Sequence, residues 1–113
     1  MALQYTSITG NTAQTLIAKR NVENATTGKI DRTFNASGIS YMSICNNHST
    51  DSVSVDLYVY DSVLGSFSIL NSAVIPSGVT LGLDSKESSF DNDSYELRIK
   101  LSAADGDVDV IIK

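Results

Sequence analysis

Ser52-Val53-Ser54-Val55-Asp56-Leu57-Tyr58-Val59-Tyr60-Asp61 alternates without a break: Val53, Val55, Leu57 and Val59 on one side, Ser54, Asp56, Tyr58 and Tyr60 on the other. Successive side chains of an extended chain point to opposite faces, so this period of two predicts a strand with one face inward and one face outward. Tyr95 to Leu101 repeats the pattern, with Tyr95, Leu97, Ile99 and Leu101 set against Glu96, Arg98 and Lys100. Ile39 to Asn46, Ser66 to Val74, Val79 to Leu83 and Val108 to Ile112 are further short segments bounded by turn-forming residues, and they read as strands as well.

The connections extend the reading. Ile75-Pro76-Ser77-Gly78 suits a type I turn, with proline presetting φ at the second position and glycine favoured at the fourth. Asn46 to Asp51 forms a polar loop, and Ala104-Asp105-Gly106-Asp107 a tight turn into the last strand. Each of these connections predicts an antiparallel pair of neighbours. No helical pattern of the length a parallel crossover needs lies between the strands. The fold class expected is all-β: a two-layer antiparallel β-sandwich, jelly-roll or Ig-like.

Upstream of residue 38 only Thr15 to Ala18 and Lys29 to Phe34 resemble strands, separated by polar Asn21 to Gly28. Two readings stand side by side: these are outer strands of the same sandwich, or residues 1–20 form an N-terminal arm that reaches to another subunit. In the second reading Leu3, Tyr5 and Ile8 are the partner-binding side chains.

At 113 residues and 12.1 kDa, with 42% hydrophobic and 19% charged residues, the chain fits a single domain over 1–113, its β core expected over 38–113. A compact fold of this mass exposes roughly 6,000 Å². The formal net charge of −5 gives no positive field for phosphate backbones or anionic lipid, so neither nucleic acid nor membrane is an expected partner. No apolar run approaches the roughly 20 residues of a membrane helix, and Met1 to Thr6 lacks the basic start and apolar stretch of a signal peptide.

Chemistry is sparse. The lone cysteine, Cys45, and the lone histidine, His48, cannot furnish a Cys/His zinc site. As nucleophile and base they sit three residues apart across a strand end, a spacing that does not specify catalysis, and Cys45 reads more simply as a small buried hydrophobe. Asp91-Asn92-Asp93 and Asp105-Gly106-Asp107-Val108-Asp109 place oxygen ligands at alternate positions, as calcium prefers, with Asp91, Asp93, Asp105 and Asp107 the candidates. They lack the ligand count of a calcium loop, and aspartate is a common turn former. No catalytic residue and no cofactor is expected. Tyr58 and Tyr60 project together from the outward face of their strand, which suits a protein contact or sugar stacking.

The strand at Ser52 to Asp61, the stretch Ile75-Pro76-Ser77-Gly78-Val79-Thr80-Leu81-Gly82-Leu83-Asp84, and the endings Tyr95 to Lys100 and Val108 to Lys113 together resemble small β-sandwich virion proteins of tailed bacteriophages, those of cyanophages in particular. The resemblance covers residues 38–113. It implies a non-enzymatic structural protein, made in the host cytoplasm and built into the virion as a capsid decoration or cement protein. The expected partners are other virion proteins, the major capsid protein or neck and tail proteins, and further copies of itself in a homo-oligomer. Two alternatives stand beside this expectation: a neck, tail or fibre adaptor, and a glycan-binding module that uses Tyr58 and Tyr60 as its platform.

Overall fold

The computed structural model describes residues 4–19, 22–23, 30–31 and 39–113. Its strands are β1 (Gln4–Thr9), β2 (Gln14–Ile17), β3 (Val22–Glu23), β4 (Ile30–Asp31), β5 (Tyr41–Asn46), β6 (Val53–Asp61), β7 (Gly65–Ile75), β8 (Thr80–Asp84), β9 (Glu96–Leu101) and β10 (Asp107–Ile112). A single helical turn, α1 (Ser85–Ser88), follows β8. Two antiparallel four-stranded sheets pack as a sandwich, one in the order β1-β10-β5-β8 and the other in the order β2-β9-β6-β7, while β3 and β4 pair separately.

The pairings β6 with β7, β5 with β8, β2 with β9 and β1 with β10 are nested one inside the next. This is one long hairpin rolled over on itself, closed laterally by β10 against β5 and by β9 against β6. Such a strand order makes the sandwich a jelly roll, with its two interlocking Greek keys, and sets it apart from the Ig-like alternative.

The alternation seen in the sequence sets the faces. Val53, Val55, Leu57 and Val59 of β6 and Leu97, Ile99 and Leu101 of β9 turn inward, meeting Met42 and Ile44 of β5, Val108, Val110 and Ile112 of β10, Ile8 of β1 and Leu83 of β8 in one cluster. The accessible surface, 6328 Å², matches the expectation for this mass.

The expected hairpins differ from the observed connections. Asn46 to Asp51, Pro76 to Val79 and Ala103 to Gly106 do not join neighbouring strands; each carries the chain from one sheet to the other. The turn at the proline is also displaced by one residue. Val79 N–H donates to the Pro76 carbonyl at 3.1 Å, and Gly78, at φ 73°, occupies the third position, where the left-handed conformation favours glycine. The true hairpin is β6–β7, closed over Ser62-Val63-Leu64 with Gly65 at φ 96°.

Of the two readings of the N-terminal region, the outer strands hold and the arm does not: Gln4–Ile17 contributes β1, which the sequence did not suggest, and β2 to the sandwich. Leu3 lies outside the described residues, as does the expected strand Lys29 to Phe34 apart from Ile30 and Asp31.

Leu57 and Ile99 are fully buried and paired across β6 and β9. Truncating either to alanine is expected to destabilise the protein by about 2–5 kcal/mol, measured by urea unfolding; a loss under about 1 kcal/mol would mean that the strand faces are inverted.

Candidate functional site

At one end of the sandwich three of the connections that cross between the sheets, β5–β6, β7–β8 and β9–β10, meet around Asn46 and His48. The parity of β5 turns Met42, Ile44 and Asn46 inward, so a fully buried amide stands where an apolar residue would otherwise sit. Its Nδ2 donates to the Asp51 carbonyl at 3.0 Å and to the Ile75 carbonyl at 2.9 Å, and its Oδ1 accepts from His48 N–H at 2.9 Å. Ser77 Oγ donates to the His48 carbonyl. Burial without these partners would be costly; with them, the amide ties the β5–β6 loop to the end of β7.

His48 stands above this knot. Its Nδ1 accepts from the backbone N–H of Asp51 at 2.9 Å and of Thr50 at 3.2 Å, which places the ring proton on Nε2, 2.9 Å from Asp105 Oδ2. His48, Asp51 and Asp105 bring one nitrogen and two carboxylate oxygens within 4.8 Å of one another, the spacing of a metal cluster. The donor set does not fit an ion, however. A metal-ligating histidine donates its second ring N–H outward, whereas here that nitrogen accepts two hydrogen bonds and the nitrogen facing the carboxylates carries the proton.

Of the aspartates with calcium-like spacing, only Asp105 enters this group. Asp91 accepts the Asp93 N–H in the turn before β9, and the Asp107 carbonyl accepts the Asn47 N–H. The Asp91/Asp93 and Asp105/Asp107 pairs stand at opposite ends of β9 and cannot share a ligand.

Cys45 does not join His48. It lies on the outer face of the β1-β10-β5-β8 sheet, opposite Asp109 and Thr80, and is half-buried, where a core position was expected. Strand parity decides this, since Ile44 and Asn46 take the inward positions on either side.

Tyr58 and Tyr60 do project outward from β6, as the alternation predicts, but they are engaged. The Arg98 guanidinium lies 4.0 Å from the centroid of the Tyr60 ring and is held there by Glu96 Oε1, at 2.8 Å from Nε and 2.6 Å from Nη2. Burial works against the Arg98 charge, yet hydrogen bonds and attraction from Glu96 and the Tyr58 hydroxyl outweigh it and hold the group above its ordinary pKa. The guanidinium thus occupies one face of the Tyr60 ring.

Ile8, expected at a partner contact, is 1% exposed and belongs to the core. Its inward position on β1 is the reason. Tyr5, three residues earlier on the same strand and on the opposite face, is 68% exposed. It borders a shallow depression of about 270 Å³ lined by Tyr5, Thr6, Ser7, Asp109, Val110 and Ile111. Hydrogen bonds from Ser7 and Asn47 hold the Asp109 carboxyl below its ordinary pKa.

At the opposite end of the sandwich, the tip of the β6–β7 hairpin is built on Asp61. Asp61 Oδ2 accepts the N–H groups of Val63 at 3.0 Å and Leu64 at 2.9 Å, and its other carboxylate oxygen takes the Lys19 ammonium. The Lys19 hydrogen bond first, then those of Leu64 and Val63, bring its pKa from 3.8 to about 2. So braced, the tip presents Val63 at 88% exposure, Leu64 at 55% and Phe67 at 57%, with the Phe67 ring edge-on to Tyr95 at 5.9 Å. Beside it a depression of about 350 Å³ is lined by Ala18, Lys19, Tyr60, Asp61, Ser62 and Glu96.

Asn46 and Asp61 were not singled out from the sequence. The signal was present: both continue the inward parity of an apolar alternation and both stand immediately before a turn.

No family model matches the chain, and no curated protein does. Among solved structures it is similar to Drosophila melanogaster CENP-C bound to CAL1, at 9% identity, and to the Drosophila melanogaster CENP-C cupin domain, at 10% identity, each with a TM-score of 0.39. Both matches cover 97% of this chain but only 59% and 58% of those chains, so it spans less than two thirds of their length. A likeness at that TM-score carries no argument about function.

Two outcomes follow from the polar anchors. Asn46→Ala leaves buried carbonyls of Asp51 and Ile75 without a donor and is expected to cost at least about 2 kcal/mol in urea unfolding. Asp61 is depressed in the folded state, so its contribution to stability is complete above about pH 4 and is lost as pH falls toward its folded value of about 2. The urea midpoint should therefore drop through that window, and Asp61→Asn should flatten the drop, leaving the smaller part owed to Asp109.

Proposed function

We propose that the protein is a non-enzymatic structural component of a tailed-bacteriophage virion, one that decorates or cements the capsid by joining neighbouring subunits. The observation that carries this reading is the apolar tip of the β6–β7 hairpin, where Val63 and Leu64 stand exposed on a turn held in place by Asp61 and Lys19, with Phe67 partly exposed behind them on β7. Exposed apolar side chains gathered on one rigid feature mark a protein contact more than they serve the isolated domain. Val63 is 88% exposed to water.

Two further points support the same reading. The resemblance of residues 38–113 is to virion proteins, and the jelly roll is an architecture that capsid components use. Function does not follow from a fold, so the weight rests on the surface.

The test is binding to phage shells that lack the protein. Wild-type protein is expected to co-sediment in a copy number comparable with that of the capsid protein, and Val63→Asp with Leu64→Asp to remain in the supernatant while unfolding at an unchanged temperature. Binding in the low copy of a single ring would place the protein at the neck or tail instead; no binding to any particle would overturn the reading.

A further inference from the structure

A sandwich of two open sheets has four edge strands, here β1 and β8 in one sheet and β2 and β7 in the other. Unpaired edges attract other strands, and proteins blunt them with bulges, charges or brevity. Three of the four are blunted. β2 shifts register between Thr15 and Ile17, and the Gln4 side chain occupies the Leu16 carbonyl at 2.7 Å. β7 shifts register twice against β6, and within it Ser72 turns left-handed at φ 54° and gives its N–H to Asp56 Oδ1. β8 is five residues long, ends on Asp84 and runs directly into α1.

β1 has none of these devices. Gln4-Tyr5-Thr6-Ser7-Ile8-Thr9 pairs with β10 in unbroken register and contains no charge, proline or bulge. Which of its groups face outward follows from the ladder. Gly10 N–H donates to the Gly106 carbonyl, and Asn47 N–H to that of Asp107, so even-numbered residues of β10 serve β1 and odd-numbered ones serve β5. The backbone N–H and C=O groups of Tyr5, Ser7 and Thr9 therefore point away from the sheet, and Gln14 Nε2 already takes the Thr9 carbonyl at 3.0 Å. Among the described residues, what remains open is Tyr5 and Ser7, centred on Thr6.

We propose that this edge is where a second copy of the chain adds to the sheet, antiparallel about a two-fold axis at Thr6. Tyr5 then pairs with Ser7 of the partner subunit, and Ser7 with the partner's Tyr5, each pair exchanging both of its backbone hydrogen bonds. The two-fold lets each copy satisfy the open groups of the other, as it would for any strand, and one observation favours a second copy. The chain carries a net charge of −5, yet Met1 to Ala18 holds no charged residue, so two copies meet here without opposing like charges. On the outer face the exposed Tyr5 ring of each copy comes beside the other copy's depression at Ser7 and Ile111. The pairing requires nothing of the hairpin tip or of a particle, so it stands or falls separately from the proposed function.

The experiment combines light scattering with cross-linking of the full chain. Wild-type protein is expected to be a dimer that dissociates on dilution. In a Cys45→Ser background, Thr6→Cys should give a disulfide-linked dimer under oxidised glutathione, because facing residues of a non-hydrogen-bonded pair lie about 4.5 Å apart at Cα, within disulfide reach. Thr9→Cys, on the same edge but off the axis, should not. Ser7→Pro removes an N–H that β10 does not use; it should leave a folded monomer by circular dichroism. Wild-type protein that is monomeric at every concentration would overturn the proposal, including the case in which it still binds particles through this edge. So would a dimer that Thr6→Cys fails to link, and this arm decides the matter even if Ser7→Pro does not fold.

Discussion

The sandwich depends on one constraint: no strand in it can bury its apolar side alone. Val55, Leu57, Ile99 and Leu101 line one sheet and Met42, Ile44, Val108 and Val110 the other, all within 1% of complete burial. Neither face exists without its counterpart, because a sheet whose side chains alternate has one wet surface and one that must be covered. Both ends of the sandwich are set by the same alternation. Where the inward parity of β5 and β6 runs past the apolar residues it meets Asn46 and Asp61; Asn46 bonds loop and strand-end backbone, and Asp61 bonds loop backbone and the Lys19 ammonium.

The two ends thereby acquire different characters. Around Asn46 and His48 the buried amide and the imidazole are bonded to the connections that cross between sheets, which makes that end a fastening. At the hairpin, Asp61 and Lys19 do the fastening from below and leave Val63 and Leu64 outside. The side chains best suited to meet another protein thus stand on a support that is itself well tied down, so that little ordering remains to be done on contact.

What the sequence made legible was the face of the two strands whose alternation is unbroken, β6 and β9. Val53 to Val59 and Leu97 to Leu101 turn inward as their period requires. Partners were not legible, since a short polar connection such as Asn46 to Asp51 spans the roughly 10 Å between layers as readily as it turns a hairpin within one. β1 escaped notice for a related reason. At the margin of a sandwich the inner side is only half covered, so Gln4 and Thr6 occupy inward positions beside Ile8 and the apolar alternation fades. Among the site residues, the outward projection of Tyr58 and Tyr60 was legible, but their engagement by Arg98 was not, because it depends on β9 lying beside β6.

The nesting of the strand pairs imposes an order on the chain. Closing a loop costs more entropy as the loop lengthens, so β6–β7 closes most cheaply and β1–β10, which brings Gln4 to Ile112, at the greatest cost. The strand with the open edge is therefore the last to be laid down and the first to fray. A molecule still incomplete has no such edge to offer, so the pairing proposed for it would be reserved for chains that have finished folding.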